Sequence, residues 1–370
     1  MAARGAEDPR PRSGGATGAA RTRPPGRAGR DAREMPYGGP HDPGPAAAAE
    51  RARPLGDAAA VPIPAPSGGL VRVGTASWTD PTMTAGGVFY PSGADTAEER
   101  LAYYARQFPV VEVDATYYAL PSPAMSELWV RRTPPDFTFD VKAHALLTGQ
   151  PSETRRLPKS IRDALPADLA GKPRLYAKDL PSEIRDETWR LFVAGIEPLR
   201  ASGQLGAVFL QYPRWVFPSS ETRDQILEAT ERLAGHRCAV EFRSGAWLNE
   251  KNAERTLRFL SDHGIAFVMV DGPQGLQSSI PPVVATTSPE LSVVRFHGRR
   301  TETWEAQGIP TVERFRYLYS EDELEAWVPR IREAAATARE THVLMNNYFA
   351  NYGTTNAREI ARLLEDVRSD

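Results

Sequence analysis

From Leu70 onward, short runs of β-branched and aromatic residues alternate with stretches whose apolar residues return at every third or fourth position. The first pattern has the period of a strand and the second that of an amphipathic helix. Strands are expected at 71–78, 110–115, 138–144, 206–212, 238–243, 266–271, 292–297 and 342–347. Helices are expected at 97–108, 123–132, 188–201, 221–233, 253–263 and 321–336, with a last one at 357–367. Pro-Ser-Ser-Glu at 218–221 and Ser-Glu-Asp-Glu at 320–323 supply hydroxyl caps with acids in the first turn.

Eight strands alternating with helices over about 300 residues read as α/β, a single irregular (β/α)8 TIM-type barrel. An open doubly wound sheet would carry a glycine-rich first turn. Gly74-Thr-Ala-Ser-Trp-Thr-Asp-Pro does not provide one, and no G-x-x-x-x-G-K-[ST] occurs. Two connections are unusual: 145–187 is long enough to fold over the barrel mouth as a lid, and 272–290 shows no helical period. Residues 1–69 stand apart. They hold 12 Pro, 12 Gly and 17 Ala, and ten Arg against seven acids. That composition buries too little to offset chain entropy, so 1–69 reads as a disordered extension and 70–370 as the barrel domain.

Composition narrows the class. The 370 residues carry 45 Lys+Arg against 47 Asp+Glu, a net charge of -2, so no global basic field points to nucleic acid. Cys238 stands alone, which excludes an internal disulfide or a cysteine-rich zinc site. No apolar run is long enough to span a membrane and no secretory signal is visible, so a cytoplasmic protein without membrane association is expected.

Several motifs carry a resemblance. Val73-Gly-Thr-Ala-Ser-Trp, Phe89-Tyr-Pro and Val111-Glu-Val-Asp-Ala-Thr-Tyr-Tyr are followed by Phe137-Thr-Phe-Asp-Val-Lys-Ala-His, Phe209-Leu-Gln-Tyr-Pro and Val240-Glu-Phe-Arg with Trp247. Val294-Arg-Phe-His-Gly-Arg, Tyr319-Ser-Glu-Asp-Glu-Leu, Asn346-Asn and Asn356-Ala complete the series. In this order they resemble the YecE-like family, also called DUF72, from about Leu70 to the C-terminus. The resemblance implies a TIM-type barrel with no established biochemical activity, distantly akin to metal-dependent apurinic-endonuclease-type barrels. The chain departs from the family pattern at Thr79-Asp-Pro-Thr-Met and at Met345.

Polar residues inside the strands hold the candidate chemistry. Strand alternation turns Val111, Val113, Val141, Val240, Phe242, Val294 and Phe296 toward the helices. Glu112, Asp114, Lys142, His144, Glu241, Arg243, Arg295 and His297 then face the barrel interior, where charges need partners. Glu112, Lys142 and Glu241, with Arg295, form a deeper tier read as structural ion pairs. Asp114, His144 and His297 are the candidate catalytic residues nearer the C-terminal mouth, where barrels of this kind hold their active sites. Arg243, Arg295 and Arg299 are candidate ligands for a phosphate or carboxylate, whose oxygens match a guanidinium fork. Trp78, Tyr117, Trp247 and Asn347 are expected at the rim, where aromatic rings suit a base or sugar face.

No metal or other cofactor is called for. Asp114, His144, Glu241 and His297 are acceptable ligands for a divalent ion, yet Lys142, Arg243 and Arg295 share the cavity and would repel it. Paired carboxylates for glycoside hydrolysis are conceivable as Asp114 or Glu112 with Glu241, but no spacing fixes their separation. Two readings follow. One is a hydrolase or lyase acting on an anionic, phosphate-bearing ligand by acid–base chemistry. The other is a non-catalytic protein holding a nucleotide or single-stranded nucleic-acid segment. The partner is a small anion or a nucleic-acid segment in either case.

Overall fold

The structure is a computed structural model and describes residues 42–66, 68–85 and 87–366. Eight strands form the frame: β1 (Leu70–Ala76), β2 (Val110–Val113), β3 (Thr138–Lys142), β4 (Leu205–Tyr212), β5 (Cys238–Phe242), β6 (Ala266–Asp271), β7 (Leu291–Phe296) and β8 (Glu340–Met345). Consecutive strands pair in parallel, and β8 pairs back onto β1, so the sheet closes into a (β/α)8 barrel without free edges. Strand alternation holds as expected. Val111, Val141, Val240, Phe242 and Phe296 are fully buried beneath the surrounding helices, each worth about 1.5–3 kcal/mol of transfer free energy. Gly74 is required where β1 approaches β2, because a Cβ there would collide with the Val110 carbonyl.

Helices start where the caps foresaw. The Ser219 hydroxyl accepts from the Thr222 N–H, and Ser320 with Glu323 makes a complete capping box. The 272–290 connection contains no helix among its residues. The 145–187 connection builds a small core of its own from Leu146, Leu157, Ile161, Leu165, Leu169 and Leu175, and a two-residue antiparallel pair, Ser152–Glu153 with Arg174–Leu175, pins it. It was expected as a lid over the mouth, yet only Gln150 of it lines the mouth cavity. Most of it packs beside the barrel, along the start of helix Ser182–Ala201.

The boundary at residue 69 needs correction. Residues 1–41 lie outside the described residues, but 42–66 do not behave as a loose extension. Helix Pro45–Ala52 packs on the C-terminal helix Tyr352–Asp366 and buries Ala48 and Ala52. Arg51 forks onto Glu359 with Nε–Oε1 and Nη2–Oε2 distances of 2.8 Å. Asp42 pairs with Arg316 at 2.6 Å, and Ile63–Pro64 adds a short antiparallel strand to β1. Composition undervalued this segment because alanine buries well when a helix face is offered to it.

Candidate functional site

Three polar layers fill the barrel interior. Toward the N-terminal ends of the strands, His342 Nδ1 lies 2.8 Å from Asp140 and Nε2 lies 3.1 Å from Glu340. Both carboxylates pull the His342 pKa up against the effect of burial. At this end of a barrel such a cluster serves stability.

The middle layer centres on Arg295. Its guanidinium reaches Glu112 at 2.7 Å and also binds Glu241. Glu241 is a hub: it takes the Arg243 Nε at 2.8 Å, the Gln211 Nε2 at 2.8 Å and the His297 Nε2 at 3.2 Å. Burial raises its pKa, but Arg295, Arg243 and His297 outweigh burial and hold the carboxyl well below its usual range. Glu112 has fewer cations around it, so burial wins and pushes its carboxyl to about 7. His297 is sealed, its Nδ1 held 2.7 Å from Asn346, and burial together with Arg243 drives its pKa down to about 3.

The third layer opens as a cavity of about 480 Å³ at the C-terminal mouth. Lys142 and Asp114 meet on its floor at 2.7 Å. Burial disfavours the Asp114 carboxylate, but the Lys142 ammonium more than compensates, so its pKa falls below the ordinary value. The Lys142 ammonium also sits 4.7 Å from the centre of the Tyr117 ring, and the Arg243 guanidinium 5.4 Å from that of Trp304. Four cations (Lys142, Arg214, Arg243, Arg314) and two carboxylates (Asp114, Glu305) line the wall. Tyr117, Tyr118, Trp215, Trp304, Phe315 and Tyr348 form the aromatic part.

The candidate residues divide accordingly. Asp114, Arg243 and Tyr117 come together at the mouth, joined by Lys142, which was placed in the deeper tier. Arg295 stays in the deeper tier and is no ligand for an anion at the mouth, because Glu112 and Glu241 enclose it and leave 1% of its side chain exposed. His297 lies beneath the cavity, behind Trp304 and Phe315. His144 fails as an interior residue because β3 ends at Lys142. The chain then turns, and the imidazole is buried near Ser152 with its pKa lowered to about 4 by burial. Arg299 lies off the cavity, bound to Asp271 at 2.7 and 2.9 Å and to Glu323 at 3.0 Å.

Trp78, Trp247 and Asn347 are also not rim residues. Ser77, with a φ of 76°, turns the chain so that Trp78 packs edge-on against Trp129 and Phe139 in the helix layer. Trp247 stacks on Phe242 at 4.2 Å and donates its indole N–H to Val216. Asn347 donates to the Tyr317 carbonyl and to Asn356, while its neighbour Asn346 lines the mouth. Strand alternation carried along β8 from His342 through Leu344 would have selected Asn346. The same alternation in β4 marks Gln211, the missed partner of Glu241. Gln150 and Arg214 come from loops and Arg314 from the one-turn helix Thr311–Arg314, and none of these offers a periodic signal in the sequence.

The four proposed metal ligands do not converge. Asp114 is engaged by Lys142, Glu241 by two guanidinium groups, and His144 faces the insertion. Among the described residues no cluster of three or more His, Cys, Asp or Glu is arranged to hold a metal ion. No helix among them is long and apolar enough to cross a membrane.

Comparison with known proteins agrees with this architecture. UPF0759 protein YunF of Bacillus subtilis is 27% identical over 299 residues, spanning 80% of this chain and 95% of that protein. The crystal structure of a DUF72 family protein from Thermotoga maritima is 30% identical, with a TM-score of 0.62 over 80% of this chain and 99% of that one. A DUF72 family protein from Enterococcus faecalis, 23% identical, shares the fold with a TM-score of 0.63 over 80% of this chain and 95% of that one. Residues 72–370 match the family described as protein of unknown function DUF72, and the chain belongs to that family.

Proposed function

We propose that the mouth cavity binds a phosphate-bearing ligand with a flat face, of the mononucleotide class, and holds it without chemistry of its own. The observation that carries this reading is the lining: four cations against two carboxylates on a wall that also presents six aromatic rings. A volume of about 480 Å³ suits one such ligand. Arg243 is the anchor, with one carboxylate partner among the described residues, Glu241, which fixes its Nε at 2.8 Å beside the cavity. The sealed, neutral imidazoles of His144 and His297 favour binding over acid–base catalysis, since neither reaches the open space.

The test is thermal and calorimetric titration with inorganic phosphate and adenosine monophosphate. At 100 times the dissociation constant the wild type should gain about 2.7 kcal/mol. Arg243→Lys keeps the charge, loses the planar fork and should lose most of that gain. Failure of either anion to stabilise the wild type, or full stabilisation of Arg243→Lys, refutes the reading. A catalytic reading has one support, the Asp114–Lys142 pair on the cavity floor. Turnover of the nucleotide that disappears in Asp114→Asn would establish it instead.

A further inference from the structure

A second and larger cavity, about 750 Å³, lies outside the barrel. Its walls come from the end of β4, helix Ser220–Arg232, the first turns of helix Ser182–Ala201 and the 145–187 insertion. Leu146, Leu180, Trp189, Tyr212, Val216 and Ala229 make an apolar and aromatic lining. Because β4 alternates, Gln211 serves the barrel interior while Tyr212 turns outward into this space.

Two independent observations point to an occupant. The first is the Tyr212 hydroxyl, which is buried and has no hydrogen-bond partner among the described residues. A buried hydroxyl left unpaired is costly, so its position marks where a partner atom belongs. The second is charge at the edge. Lys178 and Arg185 line the cavity, are solvent-exposed and have no carboxylate partner among the described residues. The remaining wall charges are occupied, Arg232 with Glu228 at 2.9 Å and with Asp186 at 2.7 Å. The volume falls within the range of small-molecule sites.

We propose that this cavity is a binding site for a small aromatic acid with a hydrogen-bonding atom on the far side of its ring. The ring lies against Trp189 and the leucines, the far atom meets the Tyr212 hydroxyl, and the carboxylate faces Lys178 and Arg185. Trp215 lines both this cavity and the mouth, so it would report occupancy of either.

The test compares 6-hydroxy-2-naphthoate with 2-naphthoate by calorimetry and tryptophan fluorescence on the full chain. The hydroxylated acid should bind roughly tenfold more tightly, about the worth of one hydrogen bond. Tyr212→Phe should abolish that preference while keeping the affinity for 2-naphthoate. Lys178→Glu with Arg185→Glu, both on the surface, should weaken both acids without lowering the melting temperature. Absence of saturable binding up to millimolar concentration, an undiminished preference for the hydroxylated acid in Tyr212→Phe, or indifference to the charge reversal would each overturn the proposal. Binding that is lost in Arg243→Lys would place the probes in the mouth and overturn it too.

Discussion

Glu241 shows how one residue organises the interior. Four side chains converge on it, so its carboxylate is the counter-charge for Arg295 and positions Arg243 at the same time. Substituting Glu241→Gln leaves Arg295 with Glu112 alone, whose own carboxyl is held near 7 by burial. We expect a loss of about 3 kcal/mol in urea unfolding, the scale of a broken buried ion pair. A loss below about 0.5 kcal/mol, the level of an ordinary surface change, would mean that the hub does not bear on stability. Charge parity in the strands made Glu241 and Glu112 legible as interior residues. The same reading set Arg295 deep and Arg243 near the mouth, as found, but it misplaced Lys142, which reaches the cavity, because one residue of height along a strand decides it.

At the scale of elements, helix Pro45–Ala52 and the 145–187 insertion change the picture most. Removal of residues 1–66 takes away the buried Ala48, Ala52 and Ile63 and the Arg51–Glu359 fork. The truncated protein should melt at lower temperature. Arg51→Ala alone should cost about 1 kcal/mol in chemical denaturation, discounted because the Arg51 side chain is one-third exposed. An unchanged melting curve for the truncated chain would show that this helix adds nothing to the barrel. Strand and helix positions were readable from period alone, mostly to within one or two residues, because burial on one face imposes the period directly. The insertion was not, since its leucines serve a local core with no repeating register.

The molecule as a whole carries opposing titrations. The imidazoles of His144 and His297, depressed to about 4 and about 3, refuse protons that the unfolded chain accepts below 6.5, so each favours unfolding as pH falls through that range. Glu112, raised to about 7, acts oppositely: its contribution is present below 4.5 and lost as pH rises toward 7. The His342 imidazole, raised by Asp140 and Glu340, works in the same sense as Glu112. The depressed carboxyls of Glu241, Asp114 and Glu340 act in the same sense as His144 and His297 and cost stability as pH falls, so a single variant is needed to expose one component. His144→Gln should gain on the wild type by up to about 1.4 kcal/mol per pH unit on acidification between pH 6.5 and 4. Parallel stability curves for the two proteins would show that His144 does not resist protonation.

The sequence alone determined the class of this protein: strand period, alternation with helices, caps and interior charges are local properties, and they specify a (β/α)8 barrel with a polar interior. It also determined which strand residues point inward, because alternation is a property of the backbone. Only the tertiary structure decided where each strand stops. Beyond that point alternation no longer governs direction, which is why His144, Trp78, Trp247 and Asn347 left the mouth. The cavity itself is assembled from segments far apart in the chain that follow the strands, Asp114, Gln150, Arg214, Arg243 and Arg314 among them. Their convergence depends on barrel closure and strand height, and neither is written in any local run of residues.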